Sequence, residues 1–232
     1  MGLSLSVGYL ADVISGDPEG SIQVSSCFER LNEALAAAGR KPHLEPVELD
    51  VSSRFSCDMW GYSGLHHLRR IAAHAAFGRP LPPPVSNGAT DDPVLKRYYA
   101  DVSESPTWFA RLFRSRSADR LRYQHVIVHS DAEGYYIPQD FPDVIFPAES
   151  FKIPGAMIGS VPRLYEECSA LAKLLEIPDG LDAESDDVLE AAENPGSGKA
   201  SWQRYGIESF SCIRLLAACR ASFATGAAIV FC

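Results

Sequence analysis

Apolar positions recur along this chain in two rhythms, one suited to strands and one to helices. Residues 3–13 open as a strand. In residues 21–38, Val24, Cys27 or Phe28, Leu31 and Leu35 fall at helical spacing, and Gly39 stops the helix. Residues 43–51 read as a second short strand or an extended connection. Residues 64–77 form a helix that buries Leu65, Leu68, Ile71, Ala72 and Ala75 and ends at Gly78.

Residues 79–95 break both rhythms. Pro80, Pro82, Pro83, Pro84, Asn87-Gly88 and Asp91-Asp92-Pro93 are turn formers that continue neither a helix nor a central strand, so the segment is a long surface loop. After a mixed stretch, Val126, Ile127 and Val128 make an apolar run in residues 124–129, and Tyr135, Tyr136 and Ile137 are strand formers. Residues 124–137 are therefore a hairpin whose polar tip is residues 129–134. Residues 161–175 form a helix with Ser160 as its cap and Pro162 in its first turn. Residues 179–198 are acidic and loop-like. Residues 202–224 form the last helix, with Ile213, Leu216, Ala217 and Phe223 among its apolar positions, and residues 226–232 are a terminal strand that inserts in a sheet.

The order of these elements predicts an α+β fold with a mixed, largely antiparallel sheet of about five strands packed against three or four main helices. Residues 1–232 are expected as a single domain, with residues 79–122 as a surface insertion rich in proline and arginine. No repeat of 20 to 50 residues is present.

Composition narrows the function. The 232 residues are 46% hydrophobic and 22% charged, ordinary values for a globular protein, and the formal net charge is -9. That charge argues against nucleic acid as a ligand, because neutralising phosphates takes clustered lysine and arginine. One basic run, Arg111, Arg114, Arg116, Arg120 and Arg122 interleaved with Trp108, Phe109 and Phe113, reads as a solvated face before it reads as an anion-binding strip. No apolar stretch approaches the roughly 20 residues that cross a bilayer, and the first residues lack the basic region of a signal peptide, so a cytoplasmic location is expected. The six cysteines include no closely spaced pair of the zinc or redox type and serve as packing residues.

Two clusters carry candidate chemistry. In the first, His129, Asp131 and Glu133 stand at alternate positions at the end of the expected strand, followed by Tyr136 and Asp140. An imidazole with carboxylates suits a divalent metal or general acid and base catalysis, which makes His129, Asp131 and Glu133 the candidate catalytic residues. Turn chemistry explains Ser130, Asp131, Gly134 and Pro138 equally well and leaves His129 and Glu133 over. In the second, His67, Arg70 and His74 share one helical face, with His66 and Arg69 beside it. That face suits an anionic group or a metal shared with His129, so His66, His67, Arg70, Tyr136 and Asp140 are candidate binding residues. The competing reading is that Arg69 and Arg70 form structural salt bridges while the histidines cap or pack.

The motif at residues 65–70, Leu65-His66-His67-Leu68-Arg69-Arg70, the motif at residues 129–142, His129-Ser130-Asp131 through Asp140-Phe141-Pro142, and the end at residues 225–231 resemble an uncharacterised family of bacterial cytosolic proteins. The resemblance covers nearly the whole chain apart from residues 79–122. It implies a shared architecture and site region and carries no mechanism. Two functions stay open. The first is a non-enzymatic interaction protein, such as an immunity-type inhibitor whose acidic surface masks a basic protein partner. The second is a metal-dependent or acid/base enzyme, hydrolase-like, with its site at the hairpin of residues 129–140.

Overall fold

The computed structural model describes residues 3–84, 87–103 and 122–231. The chain forms two compact units. The first comprises residues 1–59, 129–166 and 214–232, and the second residues 60–128 and 167–213.

The first unit holds the sheet. Strands β1 (Ser4–Val7), β2 (Phe55–Asp58), β3 (Gly134–Ile137), β4 (Ile158–Ser160) and β5 (Ile229–Phe231) lie in the order β2-β1-β5-β3-β4. The β1–β2, β1–β5 and β3–β5 pairings are antiparallel and β3–β4 is parallel. The fold is α+β, with a mixed and mostly antiparallel sheet. The C-terminal strand sits at its centre, and all three of its residues are buried. The expected opening strand is shorter than its apolar pattern suggests. Gly8, at φ 81, turns the chain out of β1 into helix α1 (Tyr9–Gly16). Asp17 caps the next helix, α2 (Pro18–Ala37), by accepting from the Gly20 amide at 3.0 Å. Phe28, Leu31 and Leu35 of α2 pack with Tyr135, Ile137, Ile158 and Val230 of the sheet into one core.

The second unit is helical among its described residues. Helix α3 (Gly61–Ala76) is followed by α4 (Pro93–Ser103), which Asp92 caps by accepting from the Val94 and Leu95 amides. Proline at the first helical position suits this start. Helix α4 lies within the Pro- and Arg-rich stretch, and its Leu95 and Tyr98 are fully buried. The arginines at 111, 114, 116 and 120, with Trp108, Phe109 and Phe113, lie outside the described residues.

The expected hairpin over residues 124–137 is not formed. Residues Gln124–Ile127 make a single helical turn, α5, and β3 pairs with β5 and β4 instead. The reason is a distant carboxylate: Glu167 accepts from the amides of Val126 at 2.8 Å and His125 at 3.3 Å, satisfying the donors that a helix start leaves open. Helix α6 (Val161–Leu174), which carries Glu167, begins where expected. The stretch read as an acidic loop contains helix α7 (Asp186–Glu193), with Asp186 and Asp187 in its first turn, where the helix dipole favours anions. The last expected helix is divided into α8 (Ser201–Arg204) and α9 (Gly206–Thr225).

Val188, Ala191 and Ala192 of α7 pack with Trp202, Phe210 and Ile213 as a separate core. Among the described residues, no helix is long and apolar enough to cross a membrane.

Gly206 lies so near α7 that a Cβ there would overlap the carbonyl of Ala191. Gly206→Ala is expected to lower stability by about 1–3 kcal/mol, the usual cost of overpacking. A lower urea midpoint with an unchanged slope is the readout.

Candidate functional site

The structure places His129, Asp131 and Glu133 in different surroundings. His129 is only 1% exposed, and its ring stacks on Tyr136 with centroids 3.9 Å apart and meets Phe231 edge-on. Its Nδ1 lies 3.1 Å from the Ser130 carbonyl and its Nε2 3.1 Å from the Tyr135 carbonyl, so both ring nitrogens face backbone. Gly134 permits this packing, since a Cβ at that position would press on the imidazole. Glu133 is exposed and Asp131 half-buried. The Ser130 hydroxyl accepts from the amides of Ala132 and Glu133, which is turn chemistry. Asp140 holds Arg163 through two bonds, at 2.7 and 3.0 Å, and Tyr136 is buried. Arg163 also bonds Glu166.

The cationic face of α3 is turned to internal use. Arg70 donates to Asp92 at 3.1 Å and to the Pro83 carbonyl at 2.7 Å, while His74 lies 3.3 Å from Asp92 and 3.0 Å from the Pro80 carbonyl. Arg69 donates to the Val126 carbonyl. His67 is 2% exposed, with its Nδ1 3.8 Å from the buried carboxylate of Glu208, and His66 is half-buried. His66, His67 and Arg70 belong to the second unit, and His129 to the first. Among the described residues, no group of three or more histidine, cysteine, aspartate or glutamate side chains is placed to hold a metal ion.

Burial pushes the Asp92 carboxyl upward, but the Leu95 and Val94 amides with Arg70 and His74 outweigh it and hold the group below its ordinary value of 3.8. Its stabilising effect is therefore complete above that value and lost as pH falls through the lowered folded value.

What the second unit does present is negative charge. Residues 176–193 hold eight carboxylates, Glu176, Asp179, Asp182, Glu184, Asp186, Asp187, Glu190 and Glu193, and no lysine or arginine; all eight are exposed. The stretch is ordered by its own bonds. Asp182 accepts from the Glu184 amide at 3.0 Å, the Ser185 hydroxyl donates to the Asp182 carbonyl at 2.8 Å, and α7 buries Val188, Ala191 and Ala192 beneath its acidic side. The composition of this stretch is visible in the sequence, whereas its helix is easily passed over. The signal for it is the apolar spacing of Val188, Ala191 and Ala192, three and four residues apart.

Residues 1–231 match a family model described as "Putative DNA-mimic protein". No curated protein and no solved structure matches the chain. The family match corrects the expectation that nucleic acid is remote from this protein's partners. Net charge argues against DNA as a ligand, but a mimic of DNA engages proteins that bind DNA. The expected basic partner is consistent with that correction.

Asp92→Ala is expected to destabilise the second unit by about 3 kcal/mol at neutral pH, because it leaves the buried Arg70 guanidinium without its counter-charge. Unfolding followed across pH should show the gap from the unmodified chain narrowing below pH 3.8.

Proposed function

The chain belongs to this DNA-mimic family, and on that premise we propose that it is a protein-interaction module whose acidic surface at residues 176–193 occupies the DNA-binding face of a basic protein. The observation that carries the reading is the run of eight exposed carboxylates without an intervening cation.

Its charge spacing is of the right order. Four carboxylates on α7, from Asp186 to Glu193, span roughly 10 Å at a helical rise of ~1.5 Å per residue. Their three intervals average about 3.5 Å, close to the ~3.4 Å per charge of a single DNA strand and about half the linear charge density of a duplex. A cluster of lysine and arginine built for phosphates meets comparable charge here, on a rigid support. The helix is fixed by its buried apolar side, so little ordering entropy is lost on binding. The protein then acts as a competitive inhibitor of DNA binding, which is the form an immunity-type role takes on this surface. The interaction is electrostatic and weakens with salt, as DNA binding does.

The test uses basic proteins retained on double-stranded DNA–cellulose and loaded with a labelled duplex. The chain is expected to release the label from at least one of them. The combined substitutions Glu184→Gln, Asp187→Asn, Glu190→Gln and Glu193→Gln should raise the concentration required by on the order of tenfold or more. Circular dichroism should stay unchanged, since all four side chains are exposed. No release by the unmodified chain, or equal release by the neutralised one, contradicts the proposal.

A further inference from the structure

The segment from Arg40 to Val51, in the first unit, is pinned in place yet displays apolar side chains to solvent. Asn32 clasps His43 on both sides, its amide donating to the His43 carbonyl at 2.9 Å and its oxygen accepting from the His43 amide at 2.6 Å. The buried Glu45 carboxylate lies 2.6 Å from the His43 ring and accepts from the Ala228 amide at 2.8 Å. Gln139 donates to the carbonyls of Lys41 and Pro42, and Arg54 to that of Leu49. Against this anchoring, Leu44 is 85%, Val47 55% and Val51 77% exposed. An irregular segment held by so many bonds has no need of three exposed aliphatic side chains for its own folding. Apolar groups displayed on a fixed frame are available to an interface.

The order of charges says what covers it. Arg40 and Lys41 stand at one end, Glu48 and Asp50 at the other, and all four are exposed. Neither the Lys41 nor the Asp50 side chain has a partner within the chain among the described residues. Lys41 and Asp50 stand symmetrically about the middle of the segment, so that pair is self-complementary when the segment is inverted. If two copies meet antiparallel about a two-fold axis that passes between Glu45 and Pro46, Lys41 of each faces Asp50 of the other, and Leu44 of each faces Val47 of the other. Every contact is then made twice, as an isologous interface requires. Pro42 and Pro46 lack amide donors, so the contact is made by side chains and not by a strand ladder.

We propose that residues 40–51 form the interface of a homodimer, with Leu44 and Val47 as its apolar centre and the Lys41–Asp50 pairs setting its register. The apolar centre supplies most of the affinity, because exposed ion pairs contribute little beyond orientation. The frame is already in place before association, which limits the ordering cost.

Sedimentation equilibrium of the full chain tests this. The mass is expected to rise with concentration from the chain's 25.3 kDa to twice that value. Lys41→Asp and Asp50→Lys should each weaken the dimer by about tenfold, since each sets like charges opposite one another. The double variant K41D/D50K should restore it, because both pairs are re-formed with their signs exchanged. Leu44→Asp should abolish the dimer while the circular dichroism spectrum stays that of the folded chain. A monomer at every concentration, unaffected single variants, a double variant without rescue, or a dimer that survives Leu44→Asp would each overturn the proposal. So would a monomeric chain whose Leu44→Asp variant no longer releases duplex from DNA-binding proteins, since the surface would then belong to a different partner.

Discussion

A charge removed from water must meet an opposite charge or a set of aligned donors, and most of the arrangement of this chain follows from that requirement. Helix α3 buries two guanidiniums. Arg70 draws in Asp92 and the Pro83 carbonyl, and Arg69 draws in the carbonyl of Val126. Asp92 is thereby fixed where it also starts helix α4. Glu167 is bound to the open amides of α5, and Glu45 to His43 and the Ala228 amide beside the central strand. Most of these pairings join segments far apart in sequence, from the 13 residues between Arg70 and Pro83 to the 183 between Glu45 and Ala228. Together they turn what looks like a cationic face into interior structure.

The same requirement sets two groups of carboxylates apart. Asp92, Glu167 and Glu45 are engaged with internal partners, whereas the eight in residues 176–193 are exposed in a stretch without lysine or arginine. An acidic surface on a fixed helix has a use that an acidic loop does not. Its charges keep their spacing when a partner approaches, and a cluster of lysine and arginine arranged for a regular phosphate backbone can engage them without first ordering them.

Much of the architecture was legible in the sequence because it rests on local periodicity. The spacing of Leu31 and Leu35, of Leu65, Leu68 and Ile71, and the apolar end at residues 229–231 identify α2, α3 and β5 closely. What was not legible depends on remote partners. The short apolar run Val126-Ile127-Val128 has the composition of a strand, and what makes it helical is a carboxylate some forty residues later. The local geometry around His129 was not legible for a related reason. Alternation of His129, Asp131 and Glu133 implies a shared side only if the strand continues, yet the chain turns at residues 128–133, putting the imidazole against Tyr136 and leaving Glu133 in solvent. Residue type marks which groups could do chemistry. Burial decides which of them can.

The central claim is that the acidic surface and a DNA duplex compete for one binding face on a basic protein. The most direct measurement is sedimentation of such a partner with saturating amounts of both the chain and a labelled duplex. Mutual exclusion is expected: a binary complex of the partner with either ligand, interconverting as their ratio is changed. A stable ternary complex of partner, chain and duplex would contradict the account.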